Sequence, residues 1–546
     1  MEYLALIIFS AFVAFSGEKN LHIIQLDGYK IKYNRRNNKQ FLAGLLLCFA
    51  QLFCNVTYFF AESKINANYS YFCVFVMCLT QTVLILTNRY SLTKIPLKIT
   101  KRIVRIFALS FVLFLIEGAI LLKICQFIVI KQNSFACFLF PLLNLFGAVN
   151  IYASIFLLSP IEKLIVKYYK NKAIKQLNAH KLIKIGITGS YGKTSVKNIL
   201  ATIFKQKYNV LATPQNYNTP LGICKSLSEL TDKTEVFIGE FGAKNVGDIK
   251  ELCNMVNPTI AIITAIGRQH LQTFKTEQNI YNTKKELIDC LPQGSFAVFN
   301  GENALATKMF FSATCNKQLV VLKDKNNQNY TQDIEQTQAD NVQNVLQNNQ
   351  SDIFADNIKT SAKGVTFSLH IKNNVKNCHT KLLGEHNIVN ILLAVAVANF
   401  LQVDINKIML AINQLEPTPH RLELLSGARE IAIIDDTYNS NIDGFKKALA
   451  VLESFEGKKV LITPSLVELG KSEQEINQQL AQEIAKVCQL VVLVGQNSKC
   501  LMAELKNIGF SEYLYYESLQ LAQKDFEKIL NKGDVVLMEN DLPDNY

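Results

Sequence analysis

The sequence predicts an α-helical membrane region followed by two α/β domains. Three observations lead there. Apolar residues make up 49% of 546, and the excess lies before about Pro160. Beyond Lys181, short β-branched apolar runs alternate with stretches of helical periodicity, the pattern of a largely parallel sheet covered by helices. One such run, Leu182, Ile183 and Ile185, passes directly through a glycine-rich turn into a helix. A chain of this length exceeds what one core organises, so several domains are expected.

Five apolar stretches can be drawn in the first part: Met1–Ser16, Phe41–Ala61, Tyr71–Leu86, Ile103–Phe127 and Phe138–Leu158. Most approach the roughly 20 residues a bilayer helix needs, and the first lacks the basic start and cleavage site of a removable leader. Lysines and arginines cluster in alternate connections: Lys19 to Lys39, Arg89 to Arg102, and Lys163 to Lys175. That alternation predicts a multi-pass cell-membrane region over residues 1–160 with its N-terminus outside. A basic juxtamembrane linker over 161–180 then leads to cytoplasmic catalytic domains. Glu117, inside the fourth span, is either a functional carboxylate or a hydrogen-bonded group packed within the bundle. The 13 cysteines show no metal-ligand spacing and read as buried thiols of a reducing compartment. The formal charge of +12 is explained by membrane topology, and no aromatic–basic motif points to nucleic acid.

The segment Ile185-Gly186-Ile187-Thr188-Gly189-Ser190-Tyr191-Gly192-Lys193-Thr194-Ser195 has the layout of a phosphate-binding loop. Gly189, Ser190, Gly192 and Ser195 let backbone N–H groups close around phosphate oxygens at a helix N-terminus. Lys193 can reach the terminal phosphates and the Thr194 hydroxyl can ligate Mg²⁺, so ATP is the expected nucleotide. Strict spacing would put the first glycine at Ile187; Gly186 and Gly189 flank that position instead, making the loop a variant.

Further strands are expected at Val236–Gly239, Thr259–Thr264, Ala297–Asn300, Ile431–Ile434, Lys459–Thr463, Leu490–Val494 and Val535–Met538. The Asn-, Gln- and Asp-rich stretch from about Asp324 to Asn357 reads as a solvated loop or irregular insertion. Pro417 and Pro419 mark a boundary between a central ATPase domain, 181–418, and a Rossmann-like α/β domain, 419–546.

Motifs then follow in order: Thr213-Pro214-Gln215-Asn216-Tyr217-Asn218-Thr219-Pro220-Leu221-Gly222, the acidic strand end Glu240 to Ile249, His270-Leu271, and Lys284-Lys285-Glu286-Leu287. Gly384-Glu385-His386-Asn387-Ile388-Val389-Asn390, His420-Arg421, Asp435-Asp436-Thr437-Tyr438-Asn439-Ser440-Asn441 and Val467-Glu468-Leu469-Gly470 complete the series. Together with the glycine loop, this order resembles the Mur ligase family, ATP-dependent enzymes that add amino acids to peptidoglycan precursors. The resemblance runs from about Lys181 to Tyr546.

The resemblance implies a chemistry. ATP would phosphorylate a precursor carboxylate and an amine, expected to be D-alanyl-D-alanine, would attack the acyl phosphate. Lys193, Glu240, His270 and Lys284 are the implied catalytic residues. Thr194 and Glu240 would hold one Mg²⁺; His270 and a Lys284 carbamylated by CO₂ would hold a second, with Lys285 the neighbouring alternative. Asn300, His386, Asn387 and Asn390 match positions near the nucleotide base, although by themselves they could equally be caps or turn residues. Arg421 and Asp436 match residues that the last domain brings to ATP, and Asp435-Asp436 alone could simply cap a strand-to-helix turn. Asn216, Asn218 and Thr219 lie in the substrate loop, and Tyr438 and Asn439 would shape the amine pocket.

The pattern also departs. Membrane spans stand where the family has a soluble uridine-nucleotide-binding domain, so the precursor could be UDP-linked or lipid-linked. Ala265 and Arg268-Gln269 replace the family's usual residues beside His270, and the ending Met538-Glu539-Asn540-Asp541 replaces a Lys-Gly-Ser element. A related ligase acting on another acceptor is the nearest alternative. An ATP-driven transporter would need an ABC-type signature and a Walker-B Asp-Glu, neither of which is evident.

Overall fold

The computed structural model describes residues 97–128, 147–267, 271–323, 352–427, 430–438, 441–466 and 473–540, with a few positions before residue 30. The expected spans Met1–Ser16, Phe41–Ala61 and Tyr71–Leu86 lie largely or wholly outside these residues, as do His270, Asn439, the Val467–Gly470 motif and the last six residues.

The chain divides into two compact units, one reaching Ile165 and one from Val166 to Leu542. In the first unit, helix α1 (Lys101–Ile128) carries the fourth expected span. Its Glu117 accepts a hydrogen bond from Asn150 Nδ2 at 2.8 Å, and Arg105 pairs with Glu162 at 2.6 Å. Large apolar side chains stay exposed here, among them Ile120 at 52% and Phe156 at 70%. Helix α2 runs unbroken over Gly147–Ala179, with Pro160 inside it, so the segment read as a linker is helical through Ala179.

The second unit holds two sheets. Strand β1 (Ile183–Thr188) leads through the glycine loop to α3 (Lys193–Phe204), followed by β2 (Val210–Ala212), α4 (Pro220–Ser226) and β3 (Val236–Glu240). Next come α5 (Asp248–Val256), β4 (Ile260–Ile263), α6 (Glu277–Asp289), β5 (Phe296–Asn300), α7 (Ala304–Ser312) and β6 (Asn316–Leu322). Strands β7 (Ile353–Ser361), β8 (Gly364–Ile371) and β9 (Asn374–Thr380) precede α8 (His386–Phe400) and α9 (Ile405–Asn413). The sheet order is β2-β3-β1-β4-β5-β6-β7-β8-β9, parallel as far as β7 and antiparallel across β7, β8 and β9. The stretch read as an irregular insertion therefore ends in a strand, and the sheet is mixed.

Period-2 alternation sends successive residues to opposite faces. Val236 and Ile238 pack with Ile185, Ile187 and α8 on one face, while Phe237 packs with Ala261, Ile263 and α5 on the other. Helix α8 is buried all round from Ile388 to Ala398, which fits a sequence apolar on every side, and it lies between the sheet and α3.

The last part begins with β10 (Glu423–Ser426) and β11 (Ala432–Asp436), then α10 (Ile442–Glu453) and β12 (Lys459–Thr463). It continues with α11 (Glu473–Val487), β13 (Leu490–Val494), α12 (Lys499–Asn507), β14 (Tyr513–Tyr516), α13 (Leu519–Ile529) and β15 (Val535–Glu539). Their order is β10-β11-β15-β12-β13-β14, with only β10 antiparallel. In both sheets the carboxyl ends of the parallel strands carry the loops where open α/β sheets bind ligands.

Candidate functional site

The glycine loop is shaped by its own backbone. Gly189 has φ +152° and Gly192 φ +79°; a side chain on Gly189 would lie 1.9 Å from Thr264 Oγ1. Ser190 N donates to Ala265 O at 2.7 Å, and Tyr191 bridges to Ala265 through the backbone. Position 265 thus acts through its carbonyl, which is why alanine serves there. Gly186 is not part of the loop: it lies in β1, where a Cβ would touch Leu287 and Phe241.

Lys193 Nζ donates to Gly189 O at 2.8 Å and Ser190 O at 3.1 Å. Burial lowers its pKa to about 8, with Glu240 opposing and Arg421 adding to the shift. Ser195 faces a cleft also lined by Asn198, Leu382, Asn387, Thr418 and Arg421, which joins the glycine-loop helix to the start of the last domain.

Glu240, 2% exposed at the end of β3, is the centre of the cluster. Thr194 Oγ1 donates to its Oε2 at 3.0 Å, Lys197 Nζ lies 3.3 Å from the same oxygen, and Asn218 Nδ2 donates to Oε1 at 3.1 Å. Burial alone would raise this carboxyl, but Lys193 and Lys197, with the Asn218 and Thr194 hydrogen bonds, outweigh it and hold the group below the ordinary carboxylate range. A hydroxyl and an ionised carboxylate in contact are hard oxygen donors of the kind Mg²⁺ takes, so this pair fits the ion.

Lys284, 2% exposed on α6, is brought close enough to Lys193 for their charges to interact. Burial first, and Lys193 second, push its amine down to about 7. Lys285, the neighbouring alternative, points outward and pairs with Asp289. Glu286 fastens α6 to α5 by accepting from Gly247 N at 2.9 Å and Lys250 N at 2.8 Å.

The other expected residues are distributed as follows. Asn390 presses on the glycine loop, since a side chain on Gly192 would come 2.9 Å from its Oδ1, and Asn390 Nδ2 donates to Asn387 Oδ1 at 3.1 Å. His386 instead packs against Gly384 near Val451; burial, aided by Lys447, drops its pKa to about 3, so the ring stays neutral. Asn300 forms a turn, accepting from Glu302 N at 2.9 Å. Asn216 is exposed, and Thr219 caps α4 by accepting from Gly222 N. The Arg421 guanidinium stacks over the Tyr438 ring at 4.4 Å. Burial raises Asp436 to about 6 against the opposing pull of Arg421. Asp435 accepts from Thr437 Oγ1 at 2.6 Å, the turn-capping role open to it from the sequence.

Sequence reasoning missed Lys197, Thr264 and Asn303. Asn303 Nδ2 donates to Ile266 O at 3.0 Å while its Oδ1 accepts from Ile266 N at 3.1 Å, holding the segment that carries Ala265. The available signal for Lys197 was its place four residues after Lys193, on the same helix face.

Comparison with known proteins gives a consistent picture. The Mur ligase middle domain family matches residues 187–398, and the Mur ligase glutamate ligase domain family matches 420–539. The UDP-N-acetylmuramoyl-tripeptide--D-alanyl-D-alanine ligase of Buchnera aphidicola (strain Bp) is 28% identical over 355 residues, covering 65% of this chain and 71% of the relative. The Escherichia coli enzyme of the same name is 28% identical over 319 residues, covering 58% and 65%. Among solved structures, MurF from Acinetobacter baumannii has a TM-score of 0.59 at 23% identity, covering 69% of this chain and 77% of the other. MurF ligase from Thermotoga maritima, in complex with ADP, has a TM-score of 0.58 at 22% identity, covering 69% and 80%. These two likenesses show the fold.

Proposed function

The chain belongs to the Mur ligase family, and on that premise we propose that it is an ATP-dependent peptide ligase of peptidoglycan synthesis that joins D-alanyl-D-alanine to the terminal carboxylate of a muramoyl-peptide precursor. The observation that carries this reading is the convergence on Glu240: the glycine-loop helix reaches it through Thr194 and Lys197, and the substrate loop, Thr213–Gly222, here the acceptor loop, through Asn218.

The chemistry follows from charge. A carboxylate approaching a phosphate anion to 4 Å meets a repulsion of about 4 kcal/mol at an effective dielectric of 20. Lys193 and Arg421 are the cations this chain places there, and the Gly189–Gly192 backbone orients the nucleotide phosphates. Mg²⁺, held by Thr194 and Glu240, supplies further neutralisation of the phosphate charge when bound. The carboxylate oxygen attacks the γ-phosphorus, the bond to ADP breaks, and an acyl phosphate forms. The amine nitrogen of D-alanyl-D-alanine then attacks the acyl carbon, its proton is lost to solvent or base, and phosphate leaves. Tyr438, under the Arg421 guanidinium, shapes the amine's pocket, and keeping water out of the cleft that Arg421 lines spares the acyl phosphate.

Lys284 acts in this scheme as a carbamate. A neutral amine adds to the carbon of CO₂, forming an N–C bond and releasing one proton, which turns a cation into a carboxylate-like group. A burial-depressed amine suits that reaction, and with His270 the carbamate would hold a second Mg²⁺.

We infer that the enzyme works at the cell membrane. Two helices of the described residues, Lys101–Leu121 and Val149–Ala179, are long and apolar enough to cross a bilayer. Together with the spans expected from the sequence before them, these helices support the proposal of a multi-pass anchor, N-terminus outside, with cytoplasmic catalytic domains acting near a lipid-linked form of the precursor.

The test is to incubate the detergent-solubilised chain with ATP and a panel of precursor–amine pairs, following phosphate release. Release is expected only with UDP-linked or lipid-linked muramoyl-tripeptide together with D-alanyl-D-alanine. Release that needs no peptide precursor would overturn the reading.

A further inference from the structure

Lys197 has no place in the chemistry above, yet it is 1% exposed and lies in the middle of the cluster. Its ammonium, 3.3 Å from Glu240 Oε2, also donates to the carbonyl of Gln215 at 2.5 Å. Gln215 sits in the acceptor loop with φ +43°, a left-handed conformation that a non-glycine residue adopts only when its surroundings hold it. The same loop touches Glu240 directly at two points: Asn218 donates to Oε1, and Glu240 N donates to Thr213 Oγ1 at 3.1 Å. Gly242 N in turn donates to Asn218 O at 2.9 Å. The loop and the end of β3 are therefore one hydrogen-bonded body, and Lys197 is the side chain of the glycine-loop helix that contacts both Glu240 and the loop backbone.

A buried lysine costs several kcal/mol unless it is paired and its remaining donors are satisfied. Here one ammonium satisfies a carboxylate and a strained carbonyl together. Had the position served only to fill space, an apolar side chain would pack there without that cost, as Val196 and Leu200 do beside it.

We propose that Lys197 is a positioning residue that locks Glu240 to the acceptor loop, so that the carboxylate is set for the nucleotide's metal ion in the same arrangement that shapes the loop for the precursor. The proposal deepens the ligase reading and depends on it only for the identity of the loop's ligand. Its physics makes a directional claim. A lysine acting merely as a nearby cation repels a divalent ion, so its removal would tighten Mg²⁺. A lysine acting through Glu240 orients a ligand, so its removal loosens Mg²⁺.

Calorimetric titration of the full chain in detergent with ADP, in the presence and absence of Mg²⁺, separates the two. For Lys197→Met, metal-free ADP affinity should stay within about threefold of the unaltered chain, while the enhancement of ADP affinity by Mg²⁺ should fall about tenfold or more. Lys197→Arg should retain most of the enhancement, because a guanidinium can span the same two acceptors. Asn218→Ala, which releases the other carboxylate oxygen, should lose part of it. An unchanged or larger enhancement in Lys197→Met overturns the proposal, and so does a loss of metal-free ADP binding in both Lys197 variants, which would make the residue structural. Failure of the ligase reading would appear elsewhere, as absence of amide product from the unaltered chain.

Discussion

Glu240 shows how one residue sets the chemistry of its surroundings. Its charge is maintained against burial by two lysines and two hydrogen bonds, so replacing it by its uncharged isostere leaves shape and removes function. Glu240→Gln should lower kcat by about 10²- to 10³-fold, the scale of losing one preorganised electrostatic contact, and should also lower the melting temperature, because it leaves the buried Lys197 ammonium without its counter-charge. Lys284 makes a different prediction. With burial pushing its amine down to about 7, much more of it is neutral near pH 7 than of an ordinary lysine, which is almost wholly charged there. CO₂ adds only to the neutral form, so turnover should rise as pH rises through about 7 and fall when bicarbonate is removed. A role as a cation has the opposite sign, with activity falling as pH rises. Lys284→Ala should be nearly inactive, and added acetate or formate should restore part of the rate by supplying the missing carboxylate; no recovery would argue against the carbamate.

The elements around the site depend on a few backbone positions. Gly189→Ala would drive a Cβ into Thr264, whose hydroxyl donates to Tyr191 O at 2.5 Å, so the loop must shift. ADP binding by that variant should weaken at least tenfold, about 1.4 kcal/mol, measured by calorimetry. Much of this level was readable from sequence. The strand–loop–helix at β1 and α3 shows because glycine spacing and a switch from period 2 to period 3.6 coincide within about ten residues. Strand β9 escaped because it is an edge strand and exposes most of Asn374–Thr380, so its alternation is faint. Helix α2 was divided at Pro160 on composition, but the helix runs on past that residue. Lys197 was hidden for another reason: a lysine on a helix normally marks the solvent face, and only the tertiary arrangement turns this one inward to a carboxylate from β3.

At the scale of the whole molecule, the apolar helices α1 and α2 precede the two sheets of the ligase unit in the chain. The exposed apolar side chains of α1 and α2 predict that the full chain sediments with membranes and resists alkaline extraction. Protease added to intact cells should leave the catalytic domains uncut, whereas protease added to opened cells should degrade them. The central claim, however, concerns where a phosphoryl group goes. The decisive measurement uses precursor whose terminal carboxylate is labelled with heavy oxygen, together with ATP and D-alanyl-D-alanine, and follows the label by mass spectrometry. Transfer through an acyl phosphate predicts one labelled oxygen in the released phosphate for each amide formed. Phosphate released without label, while amide accumulates, would contradict it.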